Sequence, residues 1–481
     1  MSPPHETTHP IDRVAKRPAL PLQISERRTL LIAVDLLLVN LAVLVALALW
    51  TWRSSDVMST RFVLSQAHWF ILLTGLWLIV ATITNLYDLG IAMDPMTSLH
   101  SLVWAMGLSL LIYVFIYFAS PRGALPRLFM LYFTVLAFAS LTAWRLTYSL
   151  VFHRGVFQRR TLVVGAGWAG IAIAEAIREN LNAGYELVGF TDDDPAKQGR
   201  AIHGLPVLGS RDDMRTLIDS RGISDVILAI TGEMHTDLIH TLMTFQEQGV
   251  RIIPMAQLYE DLTGRIAVEH LGSHWHIMLP LDHPGTGNIY PGLKRAFDVL
   301  AALVGLMVLA VMLPFIAVAL YLDSPGPLFY TQERIGKGGK PFRILKFRSM
   351  VPDAEKNGAA WAEEDDPRVT RTGRFLRRAS LDELPQLLNV LRGEMSIVGP
   401  RPERPIFANR LAEEIPFYRL RHAVKPGMAG WALIHYGYSS SVEDALVKLQ
   451  YDLYYIKHQS IFLDVVILLR TFGRVLALAG R

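Results

Sequence analysis

Two adjacent carboxylates, Asp382 and Glu383, stand in the run Ser380-Leu381-Asp382-Glu383-Leu384-Pro385-Gln386. Arg368, Arg371, Arg374 and Arg377 precede them, with Arg378 adjoining, and Val398-Gly399-Pro400-Arg401-Pro402 follows. A guanidinium fork donates two hydrogen bonds to a phosphate, so arginines this dense around two acids point to phosphate chemistry. An ionised aspartate in that setting can bind Mg2+ or attack a phosphorus atom. Arginines three apart share a helix face, although Gly373 can interrupt it, and the same stripe would also suit anionic lipid headgroups. Arg377 is best placed for the acids. Ser380 and Glu383 have the spacing of a capping box, whose helix dipole would keep Asp382 ionised. The proline-flanked loop after Gly399 is stiff and would hold Arg401 in place.

Three other groups of residues are candidates. Gly336-Lys337-Gly338-Gly339-Lys340 is a basic loop, either a backbone cradle for phosphate with Lys337 at hand or a hairpin turn with solvated lysines. Phe342–Met350 alternates like a half-buried strand. Asp452 reads, on pattern alone, as a surface acid. Gly165, Gly167 and Gly170 form a three-glycine turn between a strand and a helix, and Asp192 comes about 20 residues later, where an acid would meet a ribose hydroxyl. An NAD-type nucleotide is one reading, and a tight turn without a cofactor is the other. No Tyr-x-x-x-Lys pair follows to support redox chemistry.

These residues sit in a chain of 481 residues that is 51% hydrophobic, with net charge +4, pI about 9.1 and mean hydropathy +0.30. That hydropathy points to membrane spans, and the slight basic excess to lipid headgroups, not nucleic acid. With no cysteine, disulfides, thiolate catalysis and Cys-ligated metals are excluded. Apolar segments at 29–50, 69–88, 99–119 and 128–152 have the length of spanning helices. Arg27-Arg28 and Arg159-Arg160 flank them on one side, which the positive-inside bias makes cytoplasmic. Asp35 lies inside the first segment, as a functional acid or as a partner of a neighbouring helix.

Strands at Arg160–Val164, Glu186–Phe190, Asp225–Ala229 and Val250–Ile253 alternate with helical stretches, which predicts a parallel α/β domain. A fifth apolar segment runs from Phe297 to Leu322 and contains Pro314. Were it to span, the basic remainder would lie outside the cell. A helix broken at Pro314 that enters and leaves one leaflet avoids this, and a kinked spanning helix is the alternative. The expected organisation is a cytoplasmic tail (1–28), four transmembrane helices (29–152), a Rossmann-like domain (153–280), a linker (281–294), a re-entrant helix (295–322) and a catalytic domain (323–481). Ile461–Leu478 is amphipathic and suits the membrane plane. The fold class is a membrane protein, α plus α/β.

Residues 291–481 closely resemble the bacterial polyprenyl-phosphate sugar-1-phosphate transferases, the monotopic phosphoglycosyl transferase superfamily. The matching motifs are Lys294-Arg295-x-Phe297-Asp298, Phe347-Arg348-Ser349-Met350, Ser380–Gln386, Leu391–Pro402, Lys425-Pro426-Gly427-x-x-Gly430-Trp431 and Tyr451-Asp452-x-Tyr454-Tyr455. The spans and the glycine-rich domain look like the family's long form, which initiates exopolysaccharide, capsule or O-antigen assembly.

The resemblance implies that Asp382 attacks the β-phosphate of a UDP-sugar and releases UMP. The phosphosugar-aspartate then passes its sugar phosphate to undecaprenyl phosphate. It implies phosphate contacts at Arg377 and Arg401, an active-site acid at Asp452, Mg2+ held partly by Asp382, and a re-entrant helix turning at Pro314. Glucose is the weakly favoured sugar. The expected location is the cytoplasmic face of the bacterial inner membrane. The expected partners are membrane lipids, downstream glycosyltransferases and a second copy of the chain. One departure is His435-Tyr436-Gly437-Tyr438, where short-form members carry an Asn-Gly-Arg type sequence. Competing classes are a nucleotide-sugar oxidoreductase built on the glycine turn and a non-enzymatic membrane scaffold.

Overall fold

A computed structural model of the chain describes residues 24–54, 59–119, 127–153, 158–180, 184–230, 236–268, 289–351, 366–436 and 441–476. The chain divides into two compact units, Met1–Asp35 with Asp88–Ser98 and Ser140–Thr263, and Leu36–Tyr87 with Leu99–Ala139 and Gly264–Arg481.

The first unit holds a four-stranded parallel sheet. Its strands are β1 (Arg159–Val164), β2 (Tyr185–Thr191), β5 (Asp225–Leu228) and β6 (Arg251–Pro254), in the order β2-β1-β5-β6. β3 (Ala201–Ile202) and β4 (Leu205–Pro206) make a small antiparallel pair beside it. Successive strand residues face opposite sides, and each side of β1 has its own core. Val163 packs with Ile173, Ile177 and Leu258, whereas Leu162 and Val164 pack with Ile218, Leu242 and Phe245. Burial on both faces explains the unbroken apolar runs. The four expected strands lie within two residues of these positions.

Among the described residues, four helices are long and apolar enough to cross a membrane: Glu26–Arg53, Pro95–Ile116, Leu128–Val151 and Ile289–Asp323. The expected span at 69–88 is shorter, because its helix, Ala67–Ile83, has 17 residues. Asn85, at φ 54, turns the chain there, a left-handed conformation that asparagine tolerates. Asp35 is fully buried and forms an ion pair with Arg145, so it is a partner of a neighbouring helix.

In the second unit, Ile289–Asp323 is one helix of 35 residues that runs through Pro314. The expected helix-break-helix is therefore not interrupted at Pro314. A proline removes one backbone hydrogen bond and can bend a helix without ending it. The Lys294–Asp298 motif fastens this helix to the rest of the unit. Arg295 donates to the carbonyls of Val390 (2.6 Å) and Leu391 (2.8 Å), and Lys294 pairs with buried Asp464 at 2.8 Å. Asp298, also buried, accepts from the Ser396 hydroxyl (2.9 Å) and the Ile397 amide (3.0 Å).

β7 (Phe329–Ile335) and β8 (Pro341–Phe347) form an antiparallel hairpin. β9 (Ser396–Val398) and β10 (Gly427–Ala429) pair in parallel. Val390, Met395, Leu411, Leu449, Tyr455 and Ile467 fill the core around them. The helix Ile461–Leu476 docks Asp464 and Ile467 into that core and leaves Phe462 and Phe472 exposed.

Candidate active site

The arginine stripe folds as the helix Arg371–Arg378, capped by the Thr370 hydroxyl, which accepts from the Gly373 amide at 3.0 Å. Gly373 lies inside this helix and does not interrupt it, because its bare Cα packs against the Ser349 carbonyl. Arg371, Arg374 and Arg378 face outward, and Arg377 turns in to donate from Nε to the Ser349 hydroxyl at 2.9 Å. Arg368 precedes the helix and pairs with Asp366, so one arginine of the stripe is an internal ion-pair partner.

The capping box does not form. Ser380 is left-handed (φ 52) and makes no side-chain cap, and Leu381–Gln386 is a 3-10 helix. The Glu383 carboxylate turns instead to two cations. It accepts from Lys346 Nζ at 2.9 Å and from both terminal nitrogens of Arg401 at 2.6 and 3.3 Å. Two charge-assisted partners outweigh one backbone amide. Burial raises the Glu383 carboxyl, but Arg401 and Lys346 more than offset it and hold the group well below the usual carboxylate range. Asp382 is buried, and no hydrogen bond to its carboxylate occurs among the described residues. Burial, and then the neighbouring Glu383 charge, push its carboxyl up. Lys346, Arg377 and Arg401 oppose that shift. The pair is thus split into a clasped carboxylate and one with open lone pairs that faces three cations.

Among the described residues, no group of three or more His, Asp or Glu side chains could hold a metal ion. Mg2+ does not require one, since it commonly binds through one or two carboxylates, water and substrate phosphates. Asp382 fits as such a single ligand. Glu383 is already occupied by its two cations.

Asp452 is not on the surface. It is buried, and Arg421, also buried, donates to it at 2.8 Å. Burial raises the Asp452 carboxyl and Arg421 opposes it, and because a guanidinium stays protonated the pair is ionic. Arg421 also donates to the Tyr418 hydroxyl (2.6 Å) and to the Arg401 carbonyl (3.0 Å). Asp452, expected as an active-site acid, is therefore linked through Arg421 to the backbone that carries Arg401.

The structure brings Asp382, Glu383, Arg377 and Arg401 together. It does not join Arg374 or Lys337 to the acids by any hydrogen bond or ion pair among the described residues. Arg374 is exposed, and Lys337 lies in the turn of the β7–β8 hairpin. Sequence reasoning missed Lys346, Arg421 and Tyr418, and named Ser349 only within the Phe347–Met350 motif. Lys346 stands two residues after buried Ile344 on β8, so alternation alone could have put it on the inward face. In the departing segment, His435 stacks on Tyr451, with centroids 5.2 Å apart, whereas Gly437 and Tyr438 lie outside the described residues.

In the α/β domain, Gly165 has φ 103, and a Cβ on Gly170 would meet the Gly165 carbonyl at 2.0 Å. Gly167 faces open space. Asp192 accepts from the Ala166 amide (2.8 Å), the Asp194 amide (2.9 Å) and Lys197 (3.0 Å). Burial raises its carboxyl, but these donors more than offset that and lower it. The acid thus closes on its own glycine turn.

Residues 289–478 match the bacterial sugar transferase family, and residues 82–256 match a CoA-binding domain. The chain is 42% identical over 228 residues to the UDP-N-acetylgalactosamine-undecaprenyl-phosphate N-acetylgalactosaminephosphotransferase of Aeromonas hydrophila, covering 47% of this chain and 52%, about half, of that relative. It is 34% identical over 328 residues to the UDP-glucose:undecaprenyl-phosphate glucose-1-phosphate transferase of Xanthomonas campestris pv. campestris, covering 67% of this chain and 68% of that one. It is 30% identical over 354 residues to the UDP-galactose-lipid carrier transferase of Erwinia amylovora, covering 69% and 71%.

Proposed function

The chain belongs to the bacterial sugar transferase family, as a polyprenyl-phosphate sugar-1-phosphate transferase, and from that premise we propose that it moves a hexose 1-phosphate from a UDP-sugar to undecaprenyl phosphate. The observation that carries this reading is the open carboxylate of Asp382 facing Lys346, Arg377 and Arg401. An Asp382 oxygen attacks the sugar-bearing β-phosphorus. The bond from that phosphorus to the bridging oxygen breaks, and the electron pair leaves with UMP. The acyl phosphate so formed is attacked by the acceptor's phosphate oxygen, which yields the diphosphate-linked sugar and returns the Asp382 carboxylate. Arg377 and Arg401 neutralise the phosphate oxygens so that a carboxylate can approach phosphorus. Glu383 holds Arg401 and Lys346 in position. Mg2+, when bound at Asp382, would neutralise diphosphate charge on the donor. A covalent intermediate lets a water-soluble donor and a lipid acceptor use one site in turn.

The reaction takes place at the cytoplasmic face of the inner membrane, where UDP-sugars are made. The helix Ile289–Asp323 bends at Pro314 and re-enters that leaflet. Support comes from both of its ends contacting one domain: Arg295 and Asp298 near its start reach Val390–Ile397, and Asp323 at its end accepts from the Thr372 amide at 2.7 Å. A reporter fused after Arg481 that reads periplasmic would sink this topology. Glucose is the donor we favour, and the product would be extended by downstream glycosyltransferases in exopolysaccharide, capsule or O-antigen assembly.

The test is UMP release by purified protein with Mg2+, undecaprenyl phosphate and UDP-glucose, UDP-galactose or UDP-N-acetylgalactosamine. Turnover should require the lipid and vanish in Asp382→Asn. Release that persists unchanged in the variant would refute the assignment.

A further inference from the structure

Lys346 reaches Glu383 only while strand β8 keeps its place beside the acid pair, and one side chain outside the phosphate chemistry fixes that place. Asn389 stands on the short helix Leu387–Arg392, which directly follows the 3-10 helix that carries Asp382 and Glu383, and it is fully buried. Its Oδ1 accepts from the Leu345 amide at 3.1 Å, and its Nδ2 donates to the Arg343 carbonyl at 2.7 Å. Those two backbone groups lie on the edge of β8 that β7 does not occupy, so the carboxamide takes the part of a peptide unit in a neighbouring strand. The second Nδ2 hydrogen goes to Glu394 Oε2 at 2.7 Å, and the Glu394 amide donates back to the Asn389 carbonyl at 3.0 Å. Turning the amide over would set its oxygen against the Arg343 carbonyl and the Glu394 carboxylate, so one orientation is fixed.

The two bonds to β8 flank Ile344, which packs in the core, and Ile344 and Lys346 share one face of the strand. Fixing Arg343 and Leu345 therefore fixes the face from which Lys346 Nζ meets Glu383 at 2.9 Å. We propose that Asn389 is a positioning residue for the transfer: its carboxamide clamps β8 to the helix behind the acid pair and so holds Lys346 on Glu383. The proposal rests on the assignment of Asp382 and Glu383 as the reacting pair. An asparagine that served only the fold would stabilise the whole domain without regard to Lys346. The two roles therefore differ in what they require of that lysine.

The side chains of Lys346 and Lys294 are 17% and 15% exposed, each in an ion pair, so acetylation of the full-length protein in nanodiscs reads the two pairs side by side. Asn389→Asp puts an oxygen where Nδ2 donates. Acetylation of Lys346 should then rise about tenfold, the scale of one lost charge-assisted hydrogen bond, while Lys294 keeps its wild-type rate. In UMP release the same change should lower kcat/KM about 10- to 100-fold, but less than about threefold once Lys346→Met has removed the side chain being placed. If Asn389→Asp does not fold, Glu394→Ala, at a half-buried position, removes only the acceptor that orients the amide. It should raise Lys346 acetylation about threefold with the same selectivity. Equal rises at Lys346 and Lys294, no rise at Lys346, or equal losses of kcat/KM in both backgrounds would each overturn Asn389 as a positioning residue. Acetylation needs no turnover. Failure of the wild-type protein to release UMP would therefore overturn the transfer reading and leave the placement of Lys346 standing.

Discussion

Replacing Asp452 by asparagine separates the two tasks of the buried Arg421 cluster. The variant removes the charge that partners Arg421 and keeps an acceptor oxygen near its guanidinium, 2.8 Å away in the native pair. Removing one partner of a buried ion pair costs about 3–5 kcal/mol. The hydrogen bond that asparagine can keep returns about 1 kcal/mol, which leaves about 2–4 kcal/mol. For a domain of this size that lowers the melting temperature by roughly 4–16 °C. Arg421 also holds the Arg401 carbonyl at 3.0 Å, and losing one charge-assisted hydrogen bond there should reduce kcat/KM about 10- to 150-fold. The assays are melting of the purified protein in detergent, followed by tryptophan fluorescence, and UMP release. The double variant Arg421→Met/Asp452→Leu replaces both charges with apolar groups, so it should regain most of the lost stability while remaining slow. The reasoning is refuted if Asp452→Asn melts within 1 °C of the wild type or if the double variant melts below it.

Three further outcomes follow from the same geometry. Burial and Glu383 raise the Asp382 carboxyl, so activity should fall as pH drops through a value above the usual carboxylate range. Lys346 opposes that shift, so Lys346→Met should move the acid limb of kcat/KM to higher pH, and an unmoved limb would contradict the charge assignment. Burial, and then Arg421 and Arg419, hold the His422 imidazole at about 4, against an ordinary 6.5. The unfolded chain then binds more protons between those values, so stability should decline as pH falls from 6.5 towards 4. His422→Phe should flatten that part of a pH–melting curve, and an unchanged curve would exclude His422 as its source. Asp35→Ala leaves Arg145 buried without its carboxylate and should cost about 3–5 kcal/mol, read as loss of monodisperse protein after detergent extraction, whereas full recovery would show that the pair carries no stability.

Much of the architecture can be read from the chain because hydropathy and strand alternation are local properties. The parallel strands around Gly165, the long apolar helices and the acidic pair between arginines each follow from runs of neighbouring residues. The length of the second apolar helix was misjudged, since a single left-handed residue, Asn85, ends the turn pattern inside an apolar run. The capping-box expectation failed for a different reason. Ser380 and Glu383 have the right spacing, but Lys346 and Arg401 come from distant parts of the chain and compete for the carboxylate.

The same limit governs the rest of the site. Residue types and motif order determined that Asp382, Glu383, Arg377 and Arg401 are the candidate groups and that a membrane is near. Which carboxylate stays open, which arginines face solvent and why Asp452 is buried were decided by tertiary packing. A side chain's partner is set by elements that meet only in the fold, and the energy of a buried charge depends on every group that surrounds it.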